Sequence, residues 1–121
     1  MAKTILTVDD STTMRAMLML ALSEAGFKVV QAVDGVHGLE LLGTETPDVI
    51  ITDINMPRLD GFGFIEGVRK HARHRAVPVL VLTTESDDTK KDRARRAGAT
   101  GWSVKPFNAE KLVTAIRRVA A

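Results

Sequence analysis

The chain has 121 residues, 45% of them hydrophobic and 26% charged, which is typical of one globular domain; the longest apolar runs fall well short of the roughly 20 residues of a membrane span. The N-terminus lacks the apolar stretch of a signal peptide, so we expect a cytoplasmic protein that does not act in a membrane. The absence of cysteine excludes disulfides and thiolate chemistry, and a net charge of only +2 argues against nucleic-acid binding.

Short apolar runs alternate with helical stretches along the chain, which predicts a parallel sheet covered by helices on both faces. Five strands are predicted, at residues 4–8, 28–32, 49–52, 79–82 and 101–104. Five helices are predicted, at residues 12–25, 36–42, 61–71, 87–97 and from 109 to the end of the chain. No linker or repeat interrupts this pattern, so we expect a single domain over residues 1–121 and no effector domain.

Reactive side chains follow four of the five predicted strands. They are Asp9 and Asp10 after the first strand, Asp53 after the third, Thr83 and Thr84 after the fourth, and Lys105 after the fifth. If the first and third strands are neighbours, about 4.8 Å apart, each pair of carboxylates repels by about 3 kcal/mol at an effective dielectric near 20. We therefore predict a divalent cation there. Oxygen ligands without cysteine favour Mg²⁺ over zinc.

The predicted set of groups suits phosphoryl transfer. A carboxylate can attack a phosphoryl donor to give an acyl phosphate, while an ammonium group, a hydroxyl and Mg²⁺ stabilise the transferred oxygens. The sequence contains no Walker loop and no GxGxxG, and Ser103 has no evident histidine partner. Nucleotide hydrolysis, hydride transfer and serine hydrolysis therefore lack support.

Four motifs at the strand ends resemble the receiver domain of two-component response regulators, and most of all its single-domain chemotaxis members. The motifs are VDDS at 8–11, TDINMPRLDG at 52–61, VLTTE at 81–85 and SVKPF at 103–107. The resemblance covers almost the whole chain. It implies a flavodoxin-like (βα)5 α/β fold, a doubly wound parallel five-stranded sheet with strand order 2-1-3-4-5.

The resemblance also implies roles for the residues of these motifs. Asp53 is the expected phosphoacceptor, and Thr83 and Lys105 are expected to contact the phosphoryl group. The expected Mg²⁺ ligands are Asp9, Asp10, Asp53 and the backbone carbonyl of Asn55.

Further roles implied by the resemblance concern the switch and the phosphate lifetime. Thr83 and Trp102 are the expected switch pair, although chemotaxis members most often carry tyrosine at the position of Trp102. Asn55 and Glu85 are expected to tune dephosphorylation. The bond between Lys105 and Pro106 is expected to be cis, which is inexpensive before proline.

The resemblance implies the following partners. A CheA-type histidine kinase would donate the phosphoryl group, and a face made of helix four, strand five and helix five would bind a FliM-type flagellar motor switch protein. A phosphatase is a further expected partner. We expect a monomer that is not an enzyme but catalyses its own phosphorylation and dephosphorylation.

Two alternatives stay open. A single-domain receiver could be a phosphate sink or relay intermediate that never contacts the motor. A small Mg²⁺-dependent phosphohydrolase shares the aspartyl-phosphate chemistry, but such enzymes carry DxD after the first strand, where this chain has DDS, and need space for a substrate cap.

Other prominent residues are interpreted as structural. His71 and His74 are predicted to lie at a solvated helix end, and the basic run at 90–96 is predicted to be a solvated helix face, with partner contact as the alternative. One of Phe62 and Phe64 is expected to be buried.

Overall fold

Strands and helices alternate throughout residues 2–121, which the computed structural model describes. The strands are β1 (Thr4–Val8), β2 (Lys28–Ala32), β3 (Val49–Thr52), β4 (Val79–Thr83) and β5 (Gly101–Val104). The helices are α1 (Thr12–Glu24), α2 (Gly35–Leu41), α3 (Gly61–Lys70), α4 (Asp88–Ala97) and α5 (Ala109–Ala120). The predicted bounds of these elements agree with the structure to within one residue at each end.

The five strands form one parallel sheet in the order β2-β1-β3-β4-β5, which confirms the predicted fold. The last residue of β1, Val8, pairs with Ala32 on one side and with Thr52 on the other. The chain therefore changes its winding direction between β1 and β3, and in such sheets the crevice at this point is the usual ligand site. None of the helices within residues 2–121 has the length and apolar character needed to cross a membrane.

Helices cover both faces of the sheet, because neighbouring residues of each strand point to opposite sides. On one face, Leu6 and Ile50 pack in a buried cluster with Phe64 of α3. On the other face, Ile5 and Ile51 belong to a second cluster. That cluster also contains Leu18 and Leu22 of α1 and Leu112 and Ile116 of α5. The sheet is thus held between two cores, which fix the ends of its strands relative to one another.

Each helix begins at a side chain that accepts a hydrogen bond from a backbone N–H of its first turn. These N-cap residues are Ser11, Asp34, Asp60, Asp87 and Asn108. Such caps satisfy donors that the first turn of a helix leaves unpaired. At the other end of α4, Gly98 adopts a φ of 117°, a left-handed conformation that glycine tolerates and that ends the helix.

Two structural expectations need correction. His74 is only 1% exposed, and its Nε2 lies 2.9 Å from the carbonyl oxygen of Leu42 at the end of α2, so the prediction of a solvated histidine was wrong. The loop after α3 folds beneath α2, and the imidazole there pairs with a carbonyl that the helix end leaves free. Phe62 and Phe64 are both buried, whereas burial of only one was expected.

Candidate functional site

Three carboxylates meet where the strand order reverses. Asp9 follows β1 and Asp53 follows β3, and their backbone N–H groups donate to Ala32 and Val8 at 3.2 and 3.0 Å. These bonds extend the sheet ladder by one residue on each strand. Each of Asp9, Asp10 and Asp53 offers one oxygen within 4.8 Å of the others. Asp9 and Asp53 are buried and Asp10 is exposed, so the cluster opens to solvent on the side of Asp10.

Lys105 lies between the two buried carboxylates. Its Nζ is 2.8 Å from Oδ2 of Asp9 and 2.8 Å from Oδ2 of Asp53. Its backbone N–H donates to the carbonyl of Thr83 at 2.7 Å, and the bond to Pro106 is cis, as expected. Burial acts to lower the pKa of Lys105, but the hydrogen bonds to Asp53 and Asp9 outweigh it and hold that pKa above its ordinary value. The lysine is therefore charged at neutral pH.

The backbone fixes the second oxygen of each buried carboxylate. Oδ1 of Asp53 accepts from the N–H of Ile54 at 2.6 Å, and Oδ1 of Asp9 accepts from the N–H of Ser11 at 2.9 Å. Arg15 of α1 also donates to the backbone carbonyl of Asp9, at 2.7 Å. Each of the two carboxylates is thus held by a backbone N–H of its own, and the two share the ammonium group of Lys105.

The carboxylate cluster fits a hard divalent cation. It holds three negative charges against the single positive charge of Lys105, so an excess of negative charge remains. All of its donor atoms are oxygens, which Mg²⁺ prefers. Two oxygens bound to one Mg²⁺ lie at most about 4.2 Å apart. The three carboxylate oxygens lie within 4.8 Å of one another, so only a small approach would let all three bind one ion.

A second group of polar contacts centres on Glu85, in the loop between β4 and α4. Its Oε1 accepts from Nδ2 of Asn55 at 3.0 Å, and its Oε2 lies 3.1 Å from Nζ of Lys90 on α4. Its backbone N–H donates to Oγ1 of buried Thr83 at 3.4 Å, and its carbonyl accepts from the indole N–H of Trp102 at 3.1 Å. One residue therefore contacts both expected switch residues and the other expected tuning residue.

Asn55 and Glu85 were each assigned by resemblance to the tuning of dephosphorylation, but their direct hydrogen bond was not predicted. The sequence predicts Lys90 to lie on a solvated basic helix face or to contact a partner, and neither prediction includes a contact with Glu85. The sequence shows only that Lys90 and Glu85 carry opposite charges five residues apart, which does not by itself predict an ion pair. The bond to Asn55, followed by the pair with Lys90, lowers the pKa of Glu85, which keeps this carboxylate ionised at neutral pH.

An ion pair that sequence reasoning missed anchors the loop between β3 and α3. The guanidinium of Arg58 donates to both carboxylate oxygens of Asp34, at 2.7 and 3.0 Å. Arg58 has a φ of 66°, the left-handed region that non-glycine residues rarely adopt. The loop that carries Asn55 is thereby tied to the start of α2.

These observations define a class of protein. An open parallel sheet that presents three carboxylates, a lysine and a buried threonine at the carboxyl ends of its strands is the architecture of a phosphorylatable receiver domain. The chain belongs to the response regulator receiver domain family, whose model matches residues 5–117.

Several relatives are similar over 90% or more of their own length. The probable chemotaxis protein CheY of Rhizobium etli is 36% identical over 95% of this chain and 90% of its own. Protein PilH of Pseudomonas aeruginosa is 38% identical over 97% of both chains. A solved structure of the chemotaxis protein CheY4 of Vibrio cholerae is 42% identical, covers 98% of this chain and 99% of its own, and superposes with a TM-score of 0.94.

Other curated relatives are longer than this chain. It spans 14% of the sensor histidine kinase CheAY of Helicobacter pylori, to which it is 35% identical over 116 residues. The same receiver fold thus occurs both alone and as a part of larger signalling proteins.

Proposed function

We propose that this chain is a phosphorylation-dependent signalling switch that accepts a phosphoryl group from a histidine kinase onto Asp53. The observation that carries the proposal is the shared ammonium group of Lys105, 2.8 Å from both Asp9 and Asp53, at the edge where the strand order reverses. An oxygen of the Asp53 carboxylate attacks the phosphorus of a phosphohistidine. The P–N bond breaks, its electron pair goes to the imidazole, and the imidazole takes a proton from water.

Other residues of the site support this transfer. Lys105 is placed to pair with the phosphoryl oxygens that Asp53 acquires, and the hydroxyl of Thr83 can donate to one of them. Asp9, Asp10, Asp53 and the backbone carbonyl of Asn55 are the groups that would hold Mg²⁺. When bound, Mg²⁺ neutralises charge on the transferring phosphoryl oxygens.

Glu85 and Trp102 support the proposal of a switch. A movement of Thr83 toward the phosphoryl group would break its bond to the backbone N–H of Glu85, the residue whose carbonyl holds the indole of Trp102. Changing the ratio of active to inactive conformations from 1:99 to 99:1 requires about 5.5 kcal/mol. Charged hydrogen bonds of about 1.5–3 kcal/mol each from Lys105 and Thr83 to the phosphoryl oxygens are of this order.

The phosphoacceptor is tested by labelling with radioactive acetyl phosphate and Mg²⁺. Asp53→Asn should abolish incorporation. Asp48→Asn removes one carboxylate at the opposite end of the sheet, where Asp48 accepts from the N–H of Thr4, and should label like the wild type. Equal labelling of Asp53→Asn would refute the assignment of the acceptor.

The output proposed here is chemotaxis: a CheA-type kinase upstream and a FliM-type motor switch protein binding the face of α4, β5 and α5. The similarity to two chemotaxis proteins supports this output. The proposal includes a cytoplasmic monomer, a phosphatase as further partner, and no contact with nucleic acid or membrane. Binding of a motor-switch peptide should tighten at least tenfold when a phosphoryl mimic and Mg²⁺ are added.

Absence of that tightening would favour the alternative of a phosphate sink or relay intermediate. The similarity to PilH is as compatible with this alternative as with the motor-binding output. We also propose that the chain is not an enzyme toward separate substrates. Multiple turnover on phosphate monoesters would instead favour a phosphohydrolase.

A further inference from the structure

An ion pair connects helix α4 to the rim of the phosphorylation site. The Nζ of Lys90 lies 3.1 Å from Oε2 of Glu85, whose other carboxylate oxygen accepts from Asn55 at 3.0 Å. We propose that Lys90 is a positioning residue that lengthens the life of the acyl phosphate at Asp53 by holding Glu85 against Asn55. This inference rests on the proposed function of Asp53.

The bonded side chains belong to two loops that flank the acceptor. Asn55 is two residues beyond Asp53 after β3, and Glu85 is two residues beyond Thr83 after β4. Since β3 and β4 are neighbours in the sheet, the bond between Asn55 and Glu85 joins the two loops beside the acceptor. Asn55 is exposed and Glu85 is partly exposed, whereas Asp53 is buried, so this bond lies toward solvent from the acceptor. Lys90 occupies the oxygen of Glu85 that Asn55 leaves free, so both oxygens of this carboxylate are engaged.

Hydrolysis of the acyl phosphate needs a water molecule on this side. The water oxygen attacks the phosphorus, and the bond from phosphorus to the Asp53 oxygen breaks with its electron pair returning to the carboxylate. Inorganic phosphate leaves and a proton passes to solvent. Because the attacking and leaving oxygens lie roughly in line, the water approaches opposite the Asp53 oxygen, from the solvent side that Asn55 and Glu85 bridge. A closed bridge restricts that approach.

The ion pair between Lys90 and Glu85 is partly exposed, so salt or a binding partner can weaken it. The side chain of Lys90 is 42% exposed and that of Glu85 is 28% exposed. Pairs of this kind are weak and are screened by salt, so the loss of Lys90 should change the rate of hydrolysis by about two- to fivefold. A partner whose acidic group pairs with Lys90 would take this lysine away from Glu85 and would also speed hydrolysis. Binding of a partner to α4 would thus shorten the lifetime of the acyl phosphate.

The experiment follows the first-order loss of label from the phosphorylated chain after the donor is removed, at low ionic strength with Mg²⁺. Lys90→Met should lose label about two- to fivefold faster than the wild type, and Lys90→Arg, which keeps the charge, should restore most of the lifetime. Lys70→Met is the matched control, because it removes an exposed lysine of α3 that is distant along the chain from Glu85. It should decay at the wild-type rate.

Two further measurements separate positioning from a general effect of charge. At about 0.5 M salt the wild type should approach the rate of Lys90→Met, because the pair is screened. In a Glu85→Gln background, Lys90→Met should no longer change the rate. An unchanged or slower decay of Lys90→Met, or the same acceleration with Gln at position 85, would overturn the inference. If the wild type itself takes no label, the proposed function of Asp53 fails instead.

Discussion

At the scale of single residues, two buried threonines on adjacent strands differ in one hydrogen bond. Oγ1 of Thr52 donates to the carbonyl oxygen of Asp53 at 2.8 Å. Oγ1 of Thr7 is buried and has no hydrogen-bond partner within residues 2–121. A buried polar group that lacks a partner has lost its bonds to water without replacement, which reduces stability.

Replacement of these threonines by the isosteric valine should therefore have opposite effects. Thr7→Val removes an unpaired hydroxyl and should raise the free energy of unfolding by about 1 kcal/mol. Thr52→Val leaves the carbonyl of Asp53 without the hydroxyl donor and should lower the free energy of unfolding by about 1–2 kcal/mol. Urea denaturation followed by the fluorescence of Trp102 measures both. A loss of stability in Thr7→Val comparable to that in Thr52→Val would contradict this account.

The residues of the acidic site could be predicted because each ends a strand or lies within two residues of its end, at the carboxyl edge of the sheet. Asp9, Asp53 and Lys105 need only the strand order to be brought together. The partners of Glu85 and the burial of His74 depend on how loops fold onto one another. No periodicity in the sequence encodes those contacts, so local reasoning could not find them.

At the scale of secondary-structure elements, Asp34 connects a helix to a loop. Its Oδ1 accepts from the N–H of His37 at 2.8 Å and so caps α2, while Arg58 holds the same carboxylate from the loop after β3. The hydrogen bond from Arg58, followed by that from the N–H of His37, lowers the pKa of Asp34 below its ordinary value of 3.8. The ionised carboxylate is therefore favoured in the folded chain.

Substitution of Asp34 by asparagine should isolate the contribution of this charge, because asparagine caps helices about as well as aspartate. A depressed folded pKa gives stability that is present above the unfolded pKa and lost as pH falls through the folded one. Asp34→Asn should thus be less stable than the wild type at pH 7, and the difference should close as pH falls below 3.8.

Denaturant titrations between pH 7 and pH 2.5 check this dependence. Asp60→Asn serves as control, since Asp60 caps α3 through the N–H of Gly63 in the same manner, at 2.9 Å. Its difference from the wild type should be smaller at pH 7. A difference between Asp34→Asn and the wild type that stays constant over this range would show that the pair with Arg58 adds no stability through charge.

At the scale of the whole molecule, the number and bounds of the elements follow from hydrophobic patterning, but their order in the sheet does not. Buried parallel strands all resemble one another in composition, and nothing in β1 or β3 alone specifies its neighbour. The order 2-1-3-4-5 came from the resemblance of four motifs to receiver domains. The structure then confirms it through the pairing of β1 with both β2 and β3.

That order concentrates like charges at one edge of the molecule. The net charge of the chain is only +2, yet Asp9, Asp10 and Asp53 converge at a single point with one lysine. The repulsion among these carboxylates acts against folding, since the unfolded chain separates Asp53 from the other two. Ligands that bind only the folded state raise its stability. A divalent cation that binds this cluster should therefore raise the stability of the folded chain.

Addition of Mg²⁺ should raise the melting temperature of the chain. At ten times the dissociation constant the stabilisation is about 1.4 kcal/mol, which corresponds to a shift of several degrees for a domain of this size. Asp10→Asn should require a higher Mg²⁺ concentration for the same shift, whereas Asp48→Asn should respond like the wild type. Sodium chloride at matched ionic strength controls for screening. An equal shift with sodium would show that screening stabilises this edge, with Lys105 as its only bound cation. An unaltered response of Asp10→Asn would remove Asp10 from the proposed metal site.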